Sequence, residues 1–146
     1  MQGFAINNKS RNNLKQNGDR IVLDLFSKGI EAKYKIFGNF IYLESKYINL
    51  RKNLKLENFE ASLSSSRKEE IFSTIKNLIK TVKEPPNFAI KVDRKGEHQY
   101  SSTDLAREMA GAAFDKWPKI SVNLTKPSLE INIQIINNRS IIYLRN

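Results

Sequence analysis

No cysteine occurs among the 146 residues. That excludes disulfides, zinc–thiolate centres, cysteine nucleophiles and persulfide chemistry carried by this chain. Histidine is almost absent. His98 stands alone, so a multi-histidine metal site cannot be assembled and at most a lone general base remains. There is no Walker-type phosphate loop, no G-x-G-x-x-G, and no S-G-G-x-D-S adenylating loop. No cofactor or metal is expected. Long apolar runs are missing as well, and the opening MQGFAINNKSRNN has no apolar h-region. Neither a membrane span nor a secretory signal is therefore expected, and a soluble cytoplasmic protein fits.

Acidic residues are also in short supply. There are 15 Asp and Glu against 25 Lys and Arg, a formal net charge of +10. Such an excess suits a polyanionic partner: RNA, DNA or an acidic membrane surface. A lysine surface serving solubility or thermal stability is the plainer alternative. Residues 1–56 hold 11 basic and 4 acidic side chains, a net of +7, so the excess is densest in the first third. Hydrophobic residues make up 40% of the chain, enough for a packed core.

The apolar pattern predicts an α+β chain. Gly3–Asn7 reads as a strand, and Asp19–Lys28 as a helix after a turn at Asn17-Gly18, with Gly29 as its stop. The alternative start near Ser10 would place Gly18 inside the helix. Glu31–Ile36 and Phe40–Glu44 read as a hairpin around Gly38-Asn39. Strand, helix and hairpin begin a ferredoxin-like layout, giving a small βαββ domain over residues 1–56. Lys9–Asn17 is polar and basic. Tyr47–Leu56 reads as irregular or a short helix with its cations in water.

A second domain is expected over 57–146, with a mixed sheet and helices. Asn58–Leu63 is its first strand. Ser66 and Glu69 have capping-box spacing ahead of a helix running to about Lys83, where Pro85-Pro86 stops it. Ile71, Ile75, Leu78, Ile79 and Val82 form its apolar stripe. Phe88, Ile90 and Val92 alternate as a half-buried strand. Ser101 and Asp104 cap a helix that buries Leu105, Met109, Ala112 and Ala113. Strands follow over Ile120–Leu124, Leu129–Ile135 and Ser140–Leu144, the last two joined by a turn at Asn137-Asn138.

The densest candidate site is the segment joining the Phe88–Val92 strand to the capped helix. Arg94 and Lys95, with Lys91 before them, can pair with phosphates. His98 and Tyr100 can stack on or hydrogen-bond to unpaired bases. Ser101 and Ser102 lie where free N–H groups and the helix dipole favour an anion. Each has an ordinary structural reading too: Ser101 as a cap, Tyr100 as core, His98 as a structural histidine.

The ordered set Phe88–Val92, Arg94, His98, Ser101-Ser102, Ala110-Gly111, Val122-Asn123-Leu124 and Pro127, with closing strands at Ile131–Ile135 and Ile141–Leu144, resembles the THUMP domain. That is an RNA-binding module attached to tRNA-modifying enzymes. Asn123 stands where the family usually has Asp. Leu14-Lys15, Asn17 and Arg20 are similar to the opening of the ferredoxin-like domain that precedes THUMP in 4-thiouridine synthetases. The loop Gly96–Ser102 is as similar to THUMP domains of tRNA guanosine methyltransferases and of the adaptor for tRNA cytidine acetylation.

The resemblance implies a non-catalytic tRNA-binding chain. It would grip the acceptor stem and 3′ CCA end and present the tRNA to a separate catalytic domain or subunit. A homodimer is compatible with it. The RNA-binding candidates are Lys91, Arg94, Lys95, His98, Tyr100, Ser101, Ser102 and Lys126, with Lys15, Arg20, Arg51 and Lys52 tracking phosphates from the basic first domain. Two other classes stay open. A small stand-alone enzyme would act on RNA or nucleotides through His98. A protein-interaction or membrane-surface module would use the basic segment.

Overall fold

A computed structural model describes residues 2–7, 13–47 and 50–146. The chain forms two compact units, Met1–Ala61 and Ser62–Asn146. Residues 9–12 of the basic stretch read at Lys9–Asn17 lie outside the described residues, as do 48 and 49.

The first unit contains β1 (Gln2–Asn7), α1 (Leu14–Ser27), β2 (Lys33–Phe37), β3 (Phe40–Ser45), a 3-10 turn at Leu50–Asn53, and the start of β4 (Asn58–Ser65). The strands lie in the order β2-β3-β1-β4, with every described pairing antiparallel. Phe4, Ile6, Ile41 and Leu43 share one face with Leu25 of α1 and Leu50. Alternation along the strands produces that face, and the helical spacing of Ile21, Val22 and Leu25 supplies its cover.

Contrary to the turn expected at Asn17-Gly18, the helix starts at Leu14 and Gly18 is buried inside it. The ring of Tyr34 explains this. A Cβ on residue 18 would come within 2.4 Å of that ring, so the glycine makes room for helix and strand to close. Tyr34 Oη then donates to Asp19 Oδ1 at 2.6 Å. Packing offsets the roughly 1 kcal/mol that a mid-helix glycine costs.

The second unit holds the rest of β4, then α2 (Lys68–Leu78), β5 (Asn87–Lys95), α3 (Ser102–Lys116), β6 (Ser121–Val122), β7 (Leu129–Ile136) and β8 (Arg139–Arg145). Its strand order is β4-β8-β7-β5-β6. β5 pairs in parallel with β6 and β7, while β7 and β8 form an antiparallel hairpin. Phe88, Ile90, Ile131, Ile133, Ile135, Ile142 and Leu144 point to one side. There they meet Ile71, Ile75 and Ile79 of the α2 segment and Leu105, Met109, Ala112 and Ala113 of α3. The period-2 and period-3.6 stripes read from the sequence meet here in one core.

Three local expectations are corrected. The capping box at Ser66 does not form. Arg67 is the N-cap residue, without a side-chain cap bond, and Ser65 Oγ accepts from Arg67 N at 3.1 Å. Ser66 is committed elsewhere: its N–H goes to Asn138 O at 3.0 Å and its carbonyl accepts from Tyr100 Oη at 2.5 Å. α2 ends at Leu78 instead of Lys83. Tight turns continue to Val82, whose N–H donates to Ile79 O at 3.0 Å, and Lys116 Nζ of α3 donates to the carbonyls of Ile79, at 2.6 Å, and Lys80. The strand expected through Leu124 stops at Val122, because Asn123 Oδ1 accepts from the backbone N–H of Thr125 and Lys126, each at 3.1 Å, and turns the chain.

Candidate nucleic-acid interface

β5 runs three residues further than its apolar alternation suggested, so Arg94 and Lys95 lie in the strand rather than the loop. A strand sends successive side chains to opposite faces. Arg94 shares the parity of Phe88, Ile90 and Val92 and emerges on the helix-covered side. Lys91 and Lys95 emerge on the other.

Arg94 is half-buried and works inward. Its Nη1 donates to His98 Nδ1 at 3.0 Å and to Gly96 O at 3.3 Å. Its Nε is buried and makes no hydrogen bond. His98 Nε2 lies 2.5 Å from Asn137 O. A carbonyl can only accept, so this nitrogen carries the proton and Nδ1 is the acceptor for Arg94. Both ring nitrogens are thereby committed to the protein.

The His98 ring stacks on Tyr100 with centroids 5.4 Å apart and planes inclined by 17°. Tyr100 reaches the Ser66 carbonyl, and Lys68 Nζ lies 5.8 Å from its ring centroid. Burial pushes the Tyr100 hydroxyl above its ordinary pKa, and the nearby Arg94 charge opposes that shift. Asn137 N donates to Lys95 O at 2.9 Å. Gly96 adopts φ +103°, and a Cβ there would sit 2.6 Å from Asn137 Oδ1 and 3.2 Å from its backbone. The segment 94–100 is thus bolted to the β7–β8 turn and to the end of β4.

Beyond this latch, Ser101 is exposed and caps α3, accepting from Asp104 N at 3.1 Å. Ser102 is the first helical residue. Asp104 already places one negative charge in that turn.

The other candidates are spread out. Lys91 Nζ donates to Leu124 O at 3.0 Å. Lys126 is exposed beside that loop, near the start of β5, where Ser128 N donates to Asn87 Oδ1 at 2.7 Å. Residues 87 and 94 are seven apart, so at about 3.3 Å per residue Lys126 and Arg94 stand roughly 23 Å apart along the strand. In the first unit, Lys15 and Arg20 are exposed on α1. Five residues of helix separate their directions by about 140°. Arg20 borders a shallow groove with Gln16, Asp19, Leu23 and Asp24. Arg51 donates to Asn58 O at 3.4 Å, and Lys52 is exposed on the same 3-10 turn.

The structure therefore joins Arg94, His98, Tyr100, Ser101 and Ser102. It places Lys91 and Lys95 on the opposite sheet face and Lys126 at the far end of β5. Sequence reasoning missed Asn137 and Ser66 as anchors of the latch. Their signal was weak, since a turn asparagine and a serine before a helix each have commoner roles. Among the described residues no group of three or more His, Cys, Asp or Glu could hold a metal ion, and no helix is long and apolar enough to cross a membrane.

The THUMP domain model matches residues 65–145, which takes in the whole of this latch and strands β5 to β8. The chain belongs to the THUMP domain family. A tRNA sulfurtransferase of Tolumonas auensis is 38% identical over 50 residues, 34% of this chain and 10% of that protein. The matched segment is thus about a tenth of that relative's length. Among solved structures, a 4-thiouridine synthetase in complex with RNA and ATP superposes with a TM-score of 0.70 at 11% identity, over 99% of this chain and 41% of its own. A putative methyltransferase complexed with SAH gives 0.61 at 9% identity, over 98% and 41%. The fold, a mixed α+β arrangement, is shared by both. The Asn123 side-chain oxygen accepts from two N–H groups, a task an aspartate would also perform.

Proposed function

We propose that this chain is the tRNA-binding part of a tRNA-modifying system, gripping the acceptor stem and 3′ CCA end while a separate domain or subunit performs the chemistry. The THUMP match over residues 65–145 carries the reading. The net charge of +10 supports a polyanionic partner, and the absence of cysteine fits chemistry located elsewhere. Among pathways, 4-thiouridine synthesis is favoured by sequence similarity to a protein named tRNA sulfurtransferase, whereas the fold alone is also shared with a putative methyltransferase.

In this reading Ser101, Ser102, Lys95, Lys91 and Lys126 contact RNA in the second unit, and Lys15, Arg20, Arg51 and Lys52 add phosphate contacts from the first. Arg94, His98 and Tyr100 hold the loop that leads into Ser101 and Ser102. The alternative of a stand-alone enzyme using His98 requires a free ring nitrogen, and both are bonded internally.

The test is binding of tRNA with and without its CCA end across a salt series. Affinity should fall steeply with salt and drop when CCA is removed. Equal affinity for tRNA and random duplex DNA would sink the proposal.

A further inference from the structure

The turn between β7 and β8 carries an edge that the sequence did not single out. Lys95 is in register with Ile136, and Ile136 with Arg139, so the three form one cross-strand row. Strand parity puts this row on the sheet face away from α2 and α3. Lys95 and Arg139 are exposed, and neighbouring strands lie about 4.8 Å apart, which sets the two cations roughly 10 Å apart across the sheet end.

The turn Asn137–Asn138 closes the row with exposed amides. It cannot drift, because Asn137 is tied to Lys95 O and His98, and Asn138 O to Ser66 N. The only acid in the adjoining loop is Glu97; Asp93 lies one row further down the same face. None of the large exposed apolar side chains lies at this tip; they occur at positions such as Phe26, Leu56 and Leu124. Cations on a fixed backbone, flanked by amides and with only the half-buried Ile136 between them, suit a phosphodiester backbone better than a protein surface.

We propose that this tip is a second phosphate-binding edge, with Arg139 its outer cation, so that an RNA strand crosses the Asn137–Asn138 turn between the Lys95–Arg139 row and the start of α3. The proposal rests on the tRNA-binding reading above and names a contact that reading does not contain.

The test is fluorescence anisotropy of labelled tRNA bearing an intact CCA end, titrated with the full chain over a salt series. Arg139→Ala should weaken binding several-fold and reduce the log K against log salt slope by about 0.7–0.9, one phosphate's share. Arg139→Lys should restore most of the slope. The Lys95→Ala/Arg139→Ala double variant should lose about twice as much slope. Thermal midpoints within a degree or so of wild type, expected for exposed positions, show that the fold is intact. If the double variant matches wild type in affinity and slope while wild type binds tRNA selectively, the tip is not an RNA edge, although the tRNA reading stands. If wild type itself does not prefer tRNA to duplex DNA, both fail together.

Discussion

Replacing Arg94 by Ala should damage the fold rather than the RNA surface, and the size of the effect follows from its contacts. Hydrogen bonds from a charged donor contribute about 1.5–3 kcal/mol each when well formed. Arg94 makes one at 3.0 Å to His98 Nδ1 and a longer one at 3.3 Å to Gly96 O, from a half-exposed position. Screening by solvent puts the pair near the lower end of that range. Truncation also strands His98 Nδ1, at a cost of about 1 kcal/mol. Against this, it removes a buried Nε that has no partner, which recovers a similar amount. The net is a loss of about 1–2 kcal/mol, or roughly 2–8 °C in the melting midpoint for a chain of this length. Urea and thermal denaturation measure it, and the cycle with His98→Ala should show the two residues coupled rather than additive. Salt-dependent tRNA binding by the folded variant should keep the wild-type slope. The opposite pattern, unchanged stability with a slope lower by about 0.7–0.9, would make Arg94 a phosphate ligand and refute the latch.

Gly96→Ala should cost about 2–4 kcal/mol, from a backbone conformation that L-residues avoid and a Cβ driven against the Asn137 backbone; near-native stability in denaturant titration would mean the turn can move. Ser101→Ala removes the only side-chain cap of α3 and should cost about 1 kcal/mol by the same assay, whereas Ser101→Asp should keep the stability. Tyr42 is pushed up to about 12 by burial first and Glu44 second, from an ordinary value of 10.0. Its protonated form therefore contributes stability that is complete below about pH 10 and is lost as pH rises through 12. Between those limits Tyr42→Phe should lose less stability than wild type, and parallel pH profiles would refute the assignment.

Strand and helix identities were legible because each core stripe has an unambiguous period. Ile131, Ile133 and Ile135 alternate, while Ile71, Ile75 and Ile79 recur every four. What was not legible depended on partners far along the chain. Gly18 reads as a turn until Tyr34, sixteen residues later, is seen filling the place of its side chain. Ser66 reads as a cap until Asn138 and Tyr100 claim its backbone. The same limit governs the site. Arg94 and Lys95 are neighbours with equal charge, and only knowing that β5 continues through both shows that they emerge on opposite faces. Composition and local pattern located the loop; long-range pairing decided which of its groups remain available.

Charge shows why that distinction matters for function. Divided at residue 56, the chain places most of its excess in the first part. The structural boundary lies later, after Ala61, and so assigns Glu57 and Glu60 to the first unit. Unit one then has 11 basic and 6 acidic residues and unit two 14 and 9, a net of +5 each. Net charge therefore does not favour either unit as the RNA-facing one. What matters is which cations are already engaged, and this holds in both units: in the first, Lys28 pairs with Asp24 and Arg51 donates to Asn58 O. In the second unit, Arg67, Lys68 and Lys76 pair with acids, and Lys91, Arg94 and Lys116 donate to protein acceptors. A cation already spent on a protein acceptor must give up that bond to reach a phosphate, so its contribution to binding shrinks accordingly. Lys95, Lys126 and Arg139 are under no such constraint in the described contacts. In the tRNA-binding reading proposed above, those residues set the RNA surface, and the net charge of the chain would govern how fast and at what salt the encounter occurs.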